Sequence, residues 1–483
     1  MRINHLTHNT LVYGLADFLG RGFGLLILPF LAAVLSPSEF GALELILTIT
    51  GLLAVIMNCG LNNATQRFYF DGASDNSENS KEVVSSGAAA IIVFGFAASI
   101  FGFVLIYISS FYIDFINVPF SIIGLIAAIL LMTSGQWMLF ATDVTRLHFA
   151  PYKFLILTIL TRVLGLSAGT YVVVSMGWGI DGFLSMQALI SMCIIPLAFF
   201  MIRKDLIFRT SYVSILKLVK FGFPFIFMGL AYWIFGSMDR WMLAGMVSLE
   251  EAGIYAIAFK LSSVVLFASL AFGQAWSPFA LKLKQVKPKI YKLVFANILY
   301  CLLFLMIILG GFVSLFSGEL IAYVLPFEYH RSAYLLSILC IGLMLQASIH
   351  VTAIGISLEN KTNLFARIAW VTALFNLCLN FILIPNFGAV GAAIATSASY
   401  FLLTSLYFFY TQKLHRLPIN FFLITFLLII GLTILCASLA FHSLEFHITL
   451  VSLKLIIYFA LILASLGALY YKEVFKNLKS NLD

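Results

Sequence analysis

The chain has 483 residues, of which 62% are hydrophobic and only 10% are charged, and its net charge is +8. A soluble protein carries about 25% charged residues, so this composition excludes a soluble globular domain and makes the lipid bilayer the solvent. The positive charge does not indicate a nucleic-acid partner, because Lys and Arg occur in short groups between apolar stretches, which is the pattern of a topology signal.

Apolar stretches long enough to cross a bilayer, which takes about 20 residues, follow one another along the whole chain. We predict an all-α integral membrane protein with about 14 transmembrane helices. The predicted spans are 9–35, 39–63, 83–110, 115–141, 152–176, 180–202, 221–247, 252–278, 290–316, 332–357, 364–385, 388–412, 419–441 and 449–471.

Lys and Arg are distributed very unequally between the two sides of these spans. With the N-terminus in the cytoplasm, 22 of the 28 lie in or beside inner loops, Arg331 alone lies in an outer loop, and five lie inside spans. The positive-inside rule then predicts that both termini are cytoplasmic. We expect a multi-pass protein of a bacterial cytoplasmic (inner) membrane.

Cysteine and histidine give no sign of a metal or redox site. The six cysteines occur singly within apolar stretches, and the eight histidines form no H-E-x-x-H motif. We therefore expect no cofactor, although coupling to a proton or sodium gradient remains open.

Two short motifs recur at nearly the same offset. S-x-x-E-x-G occurs at 36–41 and again at 248–253, and G-x-x-G occurs at 179–182 and again at 388–391. The offsets, 212 and 209 residues, indicate a duplication of six spans. Because six is even, both copies have the same orientation, and we predict a pseudo-twofold axis along the membrane normal.

This repeat divides the chain into four predicted parts. Residues 1–202 form an N-terminal six-helix lobe and residues 221–412 a C-terminal six-helix lobe. Between them, residues 203–220 are basic and amphipathic, and we expect a helix on the cytoplasmic surface. Residues 413–483 contain helices 13 and 14 and a cytoplasmic tail.

Three groups of residues carry a resemblance to a known family. They are Leu35, Ser36, Glu39, Phe40 and Gly41; then 220–224 (KFGFP) with Asp239, Arg240 and 253–255 (GIY); and then Asn376, Asn380, Phe381, Ile384, Pro385, Gly388, Gly391, Ala392 and Ala393. In this order and spacing they resemble the Wzx-type polysaccharide flippases of the multidrug/oligosaccharidyl-lipid/polysaccharide exporter superfamily. The likeness extends over about residues 9–412.

The resemblance implies a fold and a function. The fold would be two six-helix lobes around a cavity that opens alternately to each side. The function would be translocation of an undecaprenyl-diphosphate-linked oligosaccharide for O-antigen or another surface polysaccharide. The implied partners are this substrate, membrane lipids and other polysaccharide assembly proteins.

Cations embedded in the spans are candidates for binding the diphosphate, since a charge inside a bilayer usually faces the bundle interior. These candidates are Arg21, Arg162, Arg240 and Lys260. For Arg21 the alternative is an ion pair with Asp17, one helical turn away.

Asp239 and Arg240 are adjacent on a helix, so their side chains diverge by about 100°, and we predict that they do not pair with each other. We favour a structural salt bridge between Asp239 and Lys260. The remaining embedded cation, Lys454, is expected to extend to the membrane interface.

Two further sets of polar residues are candidates for other roles. Asp17, Glu44 and Asp239 could bind a coupling ion. Amide and indole groups near the inner ends of spans 2 and 8 suit a sugar, although interhelical packing is the more common reason for them. These sugar-contact candidates are Asn62, Gln66, Gln274 and Trp276.

Three other functions remain open. A drug/cation antiporter or a lipid II flippase would belong to the same superfamily, and the antiporter would favour an acidic cavity. A membrane-embedded polymerase or acyltransferase would need catalytic groups on a large outer loop. The largest outer loop, 317–331, offers only Glu319, Glu328, His330 and Arg331, so we expect that the protein is not an enzyme.

Overall fold

The structure is a computed structural model that describes residues 3–72, 77–112, 121–207, 210–359, 361, 363–445, 447–476 and 478. Within its helices, the side chains of residues 3–11, 17, 70–72, 77, 105–112, 274, 275, 277 and 278 lie outside the described part. The described residues are α-helical with short connections and contain no strand.

The chain divides into two compact units, Met1–Ser237 and Met238–Asp483, and the division lies inside helix α9. The helices up to and including α9 are α1 (Ile3–Ala32), α2 (Pro37–Asn58), α3 (Leu61–Gly72), α4 (Ser77–Tyr112), α5 (Ile122–Leu147), α6 (Pro151–Thr158), α7 (Gly165–Met176), α8 (Gly179–Ile202) and α9 (Tyr212–Met246). A π-helical segment, Ile159–Leu164, joins α6 to α7, and a 3₁₀ turn, Arg203–Asp205, follows α8.

The second unit continues from the end of α9. Its helices are α10 (Leu249–Ser262), α11 (Val264–Val286), α12 (Tyr291–Leu315), α13 (Ser317–Val324), α14 (Ser332–Ala347), α15 (Ile349–Thr352), α16 (Ile354–Leu358), α17 (Asn363–Leu414), α18 (Phe421–Ala440) and α19 (Ile448–Tyr471). A 3₁₀ turn, Phe327–Tyr329, precedes α14.

The span prediction is confirmed in outline. Over the described residues, twelve helices are long and apolar enough to cross a membrane, and a thirteenth span is formed if the pair α10 and α11, bent by 43°, is counted as one. Helix α17 has 52 residues, which at about 1.5 Å per residue is more than twice the thickness of a bilayer core. It covers two of the predicted spans, so each of the fourteen predicted segments overlaps a helix.

Helix α17 is interrupted where the two predicted spans meet. Gly388 has φ 56° and ψ −136°, a conformation that residues with a side chain rarely adopt, and Pro385 precedes it without an amide hydrogen to donate. The backbone N–H of Ala389 donates to the carboxylate of Glu251 at 3.2 Å, which satisfies a group that the interruption frees.

The two repeated motifs have the same local structure in both units. Ser36 and Ser248 are the N-caps of α2 and α10, and each accepts a hydrogen bond from the N–H of the Glu three residues later. Gly179 and Gly388, the first residues of the two G-x-x-G motifs, both have a φ of 56°. The motifs are therefore helix-starting signals, used once in each unit.

One packed helix lies at the centre of each unit. In the first unit α5 packs against α2, α4, α6 and α8, and in the second unit α14 packs against α10, α12 and α17. The buried face of α5 is rich in small residues, among them Gly124, Ala127, Ala128 and Ser134, which let neighbouring helices approach closely without an aqueous hydrophobic effect between them.

The structure has no separate α-helix over the described residues of 203–220. Residues 212–220 are instead the first residues of the long helix α9. Helix α9 begins at Tyr212 and continues through the following span to Met246. No residue after Tyr212 ends the helix, and extending an existing helix costs less than starting a new one. The part of α9 up to Ser237 belongs to the first unit. There the Trp233 indole donates to the Thr48 carbonyl at 2.7 Å.

The expectation for Lys454 is wrong. Its side chain is 0% exposed, and its Nζ lies 2.5 Å from Oε1 of Glu319 on α13. Glu319, in the first turn of α13, supplies a carboxylate to Lys454 near the start of α19, so the lysine pairs inside the protein instead of extending to the membrane interface.

Candidate functional site

A cavity of about 300 Å³ lies among α5, α6, the π-helical segment, α7 and α8 of the first unit. Its lining includes two arginines, Arg146 and Arg162. The other polar side chains that face it are Thr142, Thr158, Thr161, Gln187 and Ser191. The cavity thus combines two fixed positive charges with hydroxyl and amide groups, and no acidic side chain is among its described lining residues.

Arg162 is positioned by an irregular turn of backbone. It lies within the π-helical segment Ile159–Leu164, and its side chain is exposed to the cavity. Such segments are uncommon and often occur at functional sites. Here Thr161 donates its hydroxyl to the Leu157 carbonyl at 2.7 Å, which supplies a hydrogen bond to the backbone beside the irregular turn.

Helix α1 approaches the stem of Arg162 closely. An added Cβ at Gly20 would lie 2.8 Å from Cδ of Arg162, which is closer than real Cβ contacts. Only a glycine therefore lets α1 pass without moving the arginine. Gly20 is itself part of the cavity lining.

Arg146 lies at the end of α5 and connects this cavity with a second, smaller one. Its guanidinium carbon lies 4.3 Å from the centroid of the Phe154 ring, and its Nη1 lies 3.5 Å from Oδ1 of Asp143. The sequence analysis assigned Arg146 only to the topology signal. Asp143, three residues earlier on the same face of the helix, is the sequence signal that it has a specific contact.

The smaller cavity contains two of the predicted sugar contacts. Asn62 and Gln66 line it together with Asp143 and Arg146, and Asn62 Nδ2 donates to Asp143 Oδ2 at 2.6 Å. The volume of about 50 Å³ has room for a few waters and not for a sugar ring. In this conformation Asn62 belongs to a polar network with Asp143 and Arg146, and Gln66 lies beside that network.

Two other candidates of the first unit, Arg21 and Glu44, are not among the lining residues of either cavity. The side chain of Arg21 is exposed, and that of Glu44 is buried on α2. The Asp17 side chain, predicted as a coupling-ion ligand or as the partner of Arg21, lies outside the described residues.

Asp239 is the centre of a buried hydrogen-bonded cluster in the second unit. Its Oδ2 accepts hydrogen bonds from the Tyr255 hydroxyl and from the Thr396 hydroxyl, the latter at 3.4 Å. Its Oδ1 lies 3.3 Å from Nη1 of Arg240 and accepts the backbone N–H of that residue at 2.8 Å. Helices α9, α10 and α17 meet at this one carboxylate.

The prediction that Asp239 and Arg240 do not pair is wrong. Although the two Cβ atoms diverge on the helix, the arginine side chain is long enough to turn back to the carboxylate. Its guanidinium carbon lies 4.7 Å from the Phe259 ring and 5.7 Å from the Tyr255 ring, and these aromatic faces stabilise the folded-back cation. Lys260, the predicted partner of Asp239, is half-buried in the last turn of α10.

Trp276 lies in an aromatic cluster on α11 and α12. Its ring stacks on Phe272 with a centroid distance of 5.4 Å and meets the edge of Phe295 at 4.9 Å. A sugar could reach its face only after these rings moved, so its predicted sugar contact stays a prediction. The side chain of Gln274 lies outside the described residues.

The sequence profile of the polysaccharide biosynthesis protein family matches residues 6–284, which is more than half of the chain. The protein belongs to this family. The match covers residues 6–237 of the first unit, which include its arginine-lined cavity, and it also includes Asp239 and Arg240. The family resemblance expected from the sequence motifs is therefore confirmed.

Relatives of this family member extend the likeness over most of the chain. The probable low-salt glycan biosynthesis flippase Agl15 of Haloferax volcanii is 24% identical over 418 residues, which are 84% of each chain. Among solved structures, the lipid II flippase MurJ in an inward closed conformation has a TM-score of 0.74 at 15% identity and covers 96% of this chain and 100% of its own.

A second solved structure shares the fold but belongs to a multidrug transporter. An inward-facing multidrug resistance MATE family transporter has a TM-score of 0.68 at 12% identity, covering 84% of this chain and 97% of its own. At these identities the structures establish the fold alone. The fold thus does not separate the flippase from the antiporter, and the site has to do so.

Proposed function

We propose that this protein is a flippase that moves a lipid-linked oligosaccharide from the cytoplasmic to the outer leaflet for the synthesis of a surface polysaccharide. The observation that carries the proposal is the pair Arg146 and Arg162 on one cavity inside an apolar helical unit. The family and the glycan flippase relative point to the same class of substrate.

A diphosphate is the part of such a substrate that is most costly to move through a bilayer. Desolvating an anion costs several kcal/mol, on the order of 5, unless a cation and hydrogen bonds compensate for it. Arginine offers several N–H groups in a fixed geometry that matches phosphate oxygens. Arg146 and Arg162 would supply the positive charge, and the surrounding threonine hydroxyls would supply further hydrogen bonds.

The two arginines also suit a path across the membrane. Arg146 lies at the end of α5, and Arg162 lies about 16 Å further along the next span, counted at 1.5 Å per residue from Pro151. One cavity therefore extends from a helix end to the middle of a span. In the proposed orientation, with both termini cytoplasmic, the Arg146 end faces the cytoplasm, where the substrate is made.

We further propose the finer assignments that the sequence suggested. The carrier is undecaprenyl diphosphate, the membrane is the bacterial cytoplasmic membrane, and Arg21 adds to the cationic surface of the first unit. Arg240 and Lys260 are the corresponding candidates in the second unit, and Asp239 remains the candidate for coupling to an ion gradient because three helices meet at its carboxylate.

Complementation of a strain that lacks its own flippase tests the proposal. We expect Arg162→Ala and Arg146→Ala each to lower surface polysaccharide by at least about tenfold, because removing a charged hydrogen-bond donor costs about 1.5–3 kcal/mol. Arg162→Lys should retain part of the activity.

Arg203→Ala is the matched control, since Arg203 belongs to the same unit and its guanidinium lies over the Phe200 ring, away from the cavity lining. Normal polysaccharide in both cavity variants at normal expression would contradict the proposed site. A drug antiporter would instead give no complementation by the wild type and a change in drug resistance.

A further inference from the structure

A basic cleft lies between the two ends of helix α17 in the second unit. Its volume is about 370 Å³, and three of its lining residues are cations, Lys361, Arg367 and Lys413. The other lining residues are Asn363, Leu364, Tyr410 and Leu414. No acidic residue is among the described lining residues of the cleft. Its volume is in the range of small-molecule sites, about 300–1,000 Å³.

The interruption at Gly388 brings these cations together. The helix has 25 residues before Gly388 and 26 after it, because it runs from Asn363 to Leu414. Two halves of equal length return the chain to the side from which it started. Arg367 in the first turns and Lys413 in the last turn therefore meet, although they are 46 positions apart in the sequence.

Lys361 is held at the mouth of the cleft by its backbone. Its N–H donates to the Ile356 carbonyl at 3.0 Å, and its carbonyl accepts the N–H of Leu364 at 2.9 Å. Lys361, two residues before the start of α17, is thus fixed without being helical. The start of α17 adds the positive end of a helix dipole to the same place.

Glu359, two residues before Lys361, contacts His415 and not the cations of the cleft. Glu359 Oε1 lies 3.0 Å from Nδ1 of the buried His415, whose Nε2 lies 3.0 Å from the Tyr291 hydroxyl. This chain of contacts ties together the start of α12, the end of α16 and the end of α17. The charged residues in the described lining of the cleft are therefore all cations.

The surroundings of the cleft are positive as well. Burial lowers the pKa of His415, and the charges of Lys292 and Lys284 lower it further, against the opposing effect of Glu359. Lys284 and Lys292 thus add to the positive field at the end of α17, where His415 follows the cleft residues Lys413 and Leu414. Such a field attracts anions from the adjoining membrane surface.

The apolar lining places the cleft at the boundary of the bilayer. Leu364 and Leu414 lie beside the three cations, and Tyr410 is half-buried one turn before the end of the helix. Tyrosine is enriched at the level of the headgroups, and basic pockets between helices at this level bind anionic lipid headgroups.

We infer that Lys361, Arg367 and Lys413 form a binding site for the phosphate of an anionic phospholipid headgroup. The site is separate from the arginine-lined cavity of the first unit, and it does not depend on the proposed transport function. The same chemistry would suit a free phosphate or diphosphate, and the experiment below distinguishes these sources.

The test measures lipid binding by native mass spectrometry of the full-length protein in detergent. The probes are phosphatidylglycerol, phosphatidylcholine, inorganic phosphate and inorganic diphosphate. We expect the wild type to bind phosphatidylglycerol in preference to phosphatidylcholine. One Lys or Arg near an anionic lipid contributes roughly fivefold to binding, so K361A/R367A/K413A should weaken binding at least about tenfold.

Two matched variants make the comparison specific. K282A/K289A/K472A removes three exposed cations of the same unit that do not line the cleft and should bind like the wild type. K361R/R367K/K413R keeps all three charges and should also bind. If the triple alanine variant does not fold, the single changes to Gln replace it, each with a several-fold loss.

Three results would overturn the inference. Equal losses in the cleft variant and in the K282A/K289A/K472A control would assign the effect to general surface charge. An undiminished affinity in the cleft variant would exclude the site. Displacement of the lipid by equimolar phosphate or diphosphate would identify the ligand as a soluble anion and not a lipid headgroup.

Discussion

Arg162 depends on a neighbour that has no side chain. Because a Cβ at Gly20 would lie 2.8 Å from Cδ of Arg162, Gly20→Ala should move the arginine while its charge remains. Misplacing a functional group by about 1 Å can cost up to about 100-fold in rate. For a shift of a few tenths of an ångström we expect complementation activity to fall several-fold.

Gly24→Ala is the control for this prediction. Gly24 lies one turn away on α1, and its added Cβ would have an ordinary contact of 3.9 Å with Leu166. Both changes stabilise the helical conformation of α1 by up to about 1 kcal/mol, so an effect through helix stability would appear in both variants. Equal activity in the two variants would show that Gly20 does not position Arg162.

The ion pair between Lys454 and Glu319 is a second prediction at the scale of single residues. Removing one partner of a buried pair leaves an uncompensated charge and costs about 3–5 kcal/mol. We expect Lys454→Met to lower the thermal unfolding temperature clearly, and K454M/E319L to recover most of the loss. An unfolding temperature for Lys454→Met equal to that of the wild type would show that the pair contributes no stability.

At the scale of helices, His415 follows the end of α17 and contacts two other helix ends. Its ring lies beside Tyr291 at the start of α12 and beside Glu359 at the end of α16. Its pKa lies below the usual value of about 6.5, chiefly because it is buried. A histidine with a lowered pKa in the folded state favours unfolding once the pH falls below its unfolded pKa. The stability it contributes is present above about pH 6.5 and is lost as the pH falls through the folded pKa.

Thermal unfolding of the detergent-solubilised protein at pH 8.0 and pH 5.5 tests this account. We expect a lower unfolding temperature at pH 5.5, and a smaller difference between the two pH values in His415→Gln, which cannot be protonated. The exposed His447 is the control, and His447→Gln should behave like the wild type. An unchanged pH dependence in His415→Gln would contradict the assignment.

The helices were largely predictable because apolar length and charge alternation fix a membrane span. Both repeated motifs mark helix starts in the structure. The serine of each S-x-x-E-x-G motif is an N-cap, and the first glycine of each G-x-x-G motif has a positive φ. Sequence periodicity could not show that α9 begins nine residues early, because a basic amphipathic stretch suits a surface helix and the extension of a span equally well.

The site was harder to predict than the helices. Arg162 was among the candidates because a charge inside a span is rare, but its π-helical backbone has no sequence signature. Arg146 was missed because a cation at a helix end is also expected from topology alone. The contacts of Asp239 depend on Thr396, which is 157 residues away, and no local pattern indicates such a pair.

The whole molecule is a membrane protein of the polysaccharide biosynthesis family. It has a cationic cavity in its first unit and a basic cleft in its second. The six-plus-six division and the cytoplasmic position of both termini are predictions from the sequence. Cysteine labelling from each side of the membrane, at Arg331 and at Lys289, would test the orientation. We expect labelling from outside only at position 331.

Flipping by the purified protein is the most direct test of the proposed transport of a lipid-linked oligosaccharide. The protein would be reconstituted into liposomes that contain a fluorescent polyprenyl-diphosphate oligosaccharide, and translocation would be followed by the access of a glycosidase to the sugar. We predict translocation by the wild type and by Arg203→Ala, and a loss of at least about tenfold in R146A/R162A. Equal translocation by R146A/R162A and the wild type, or none by the wild type, would contradict the account.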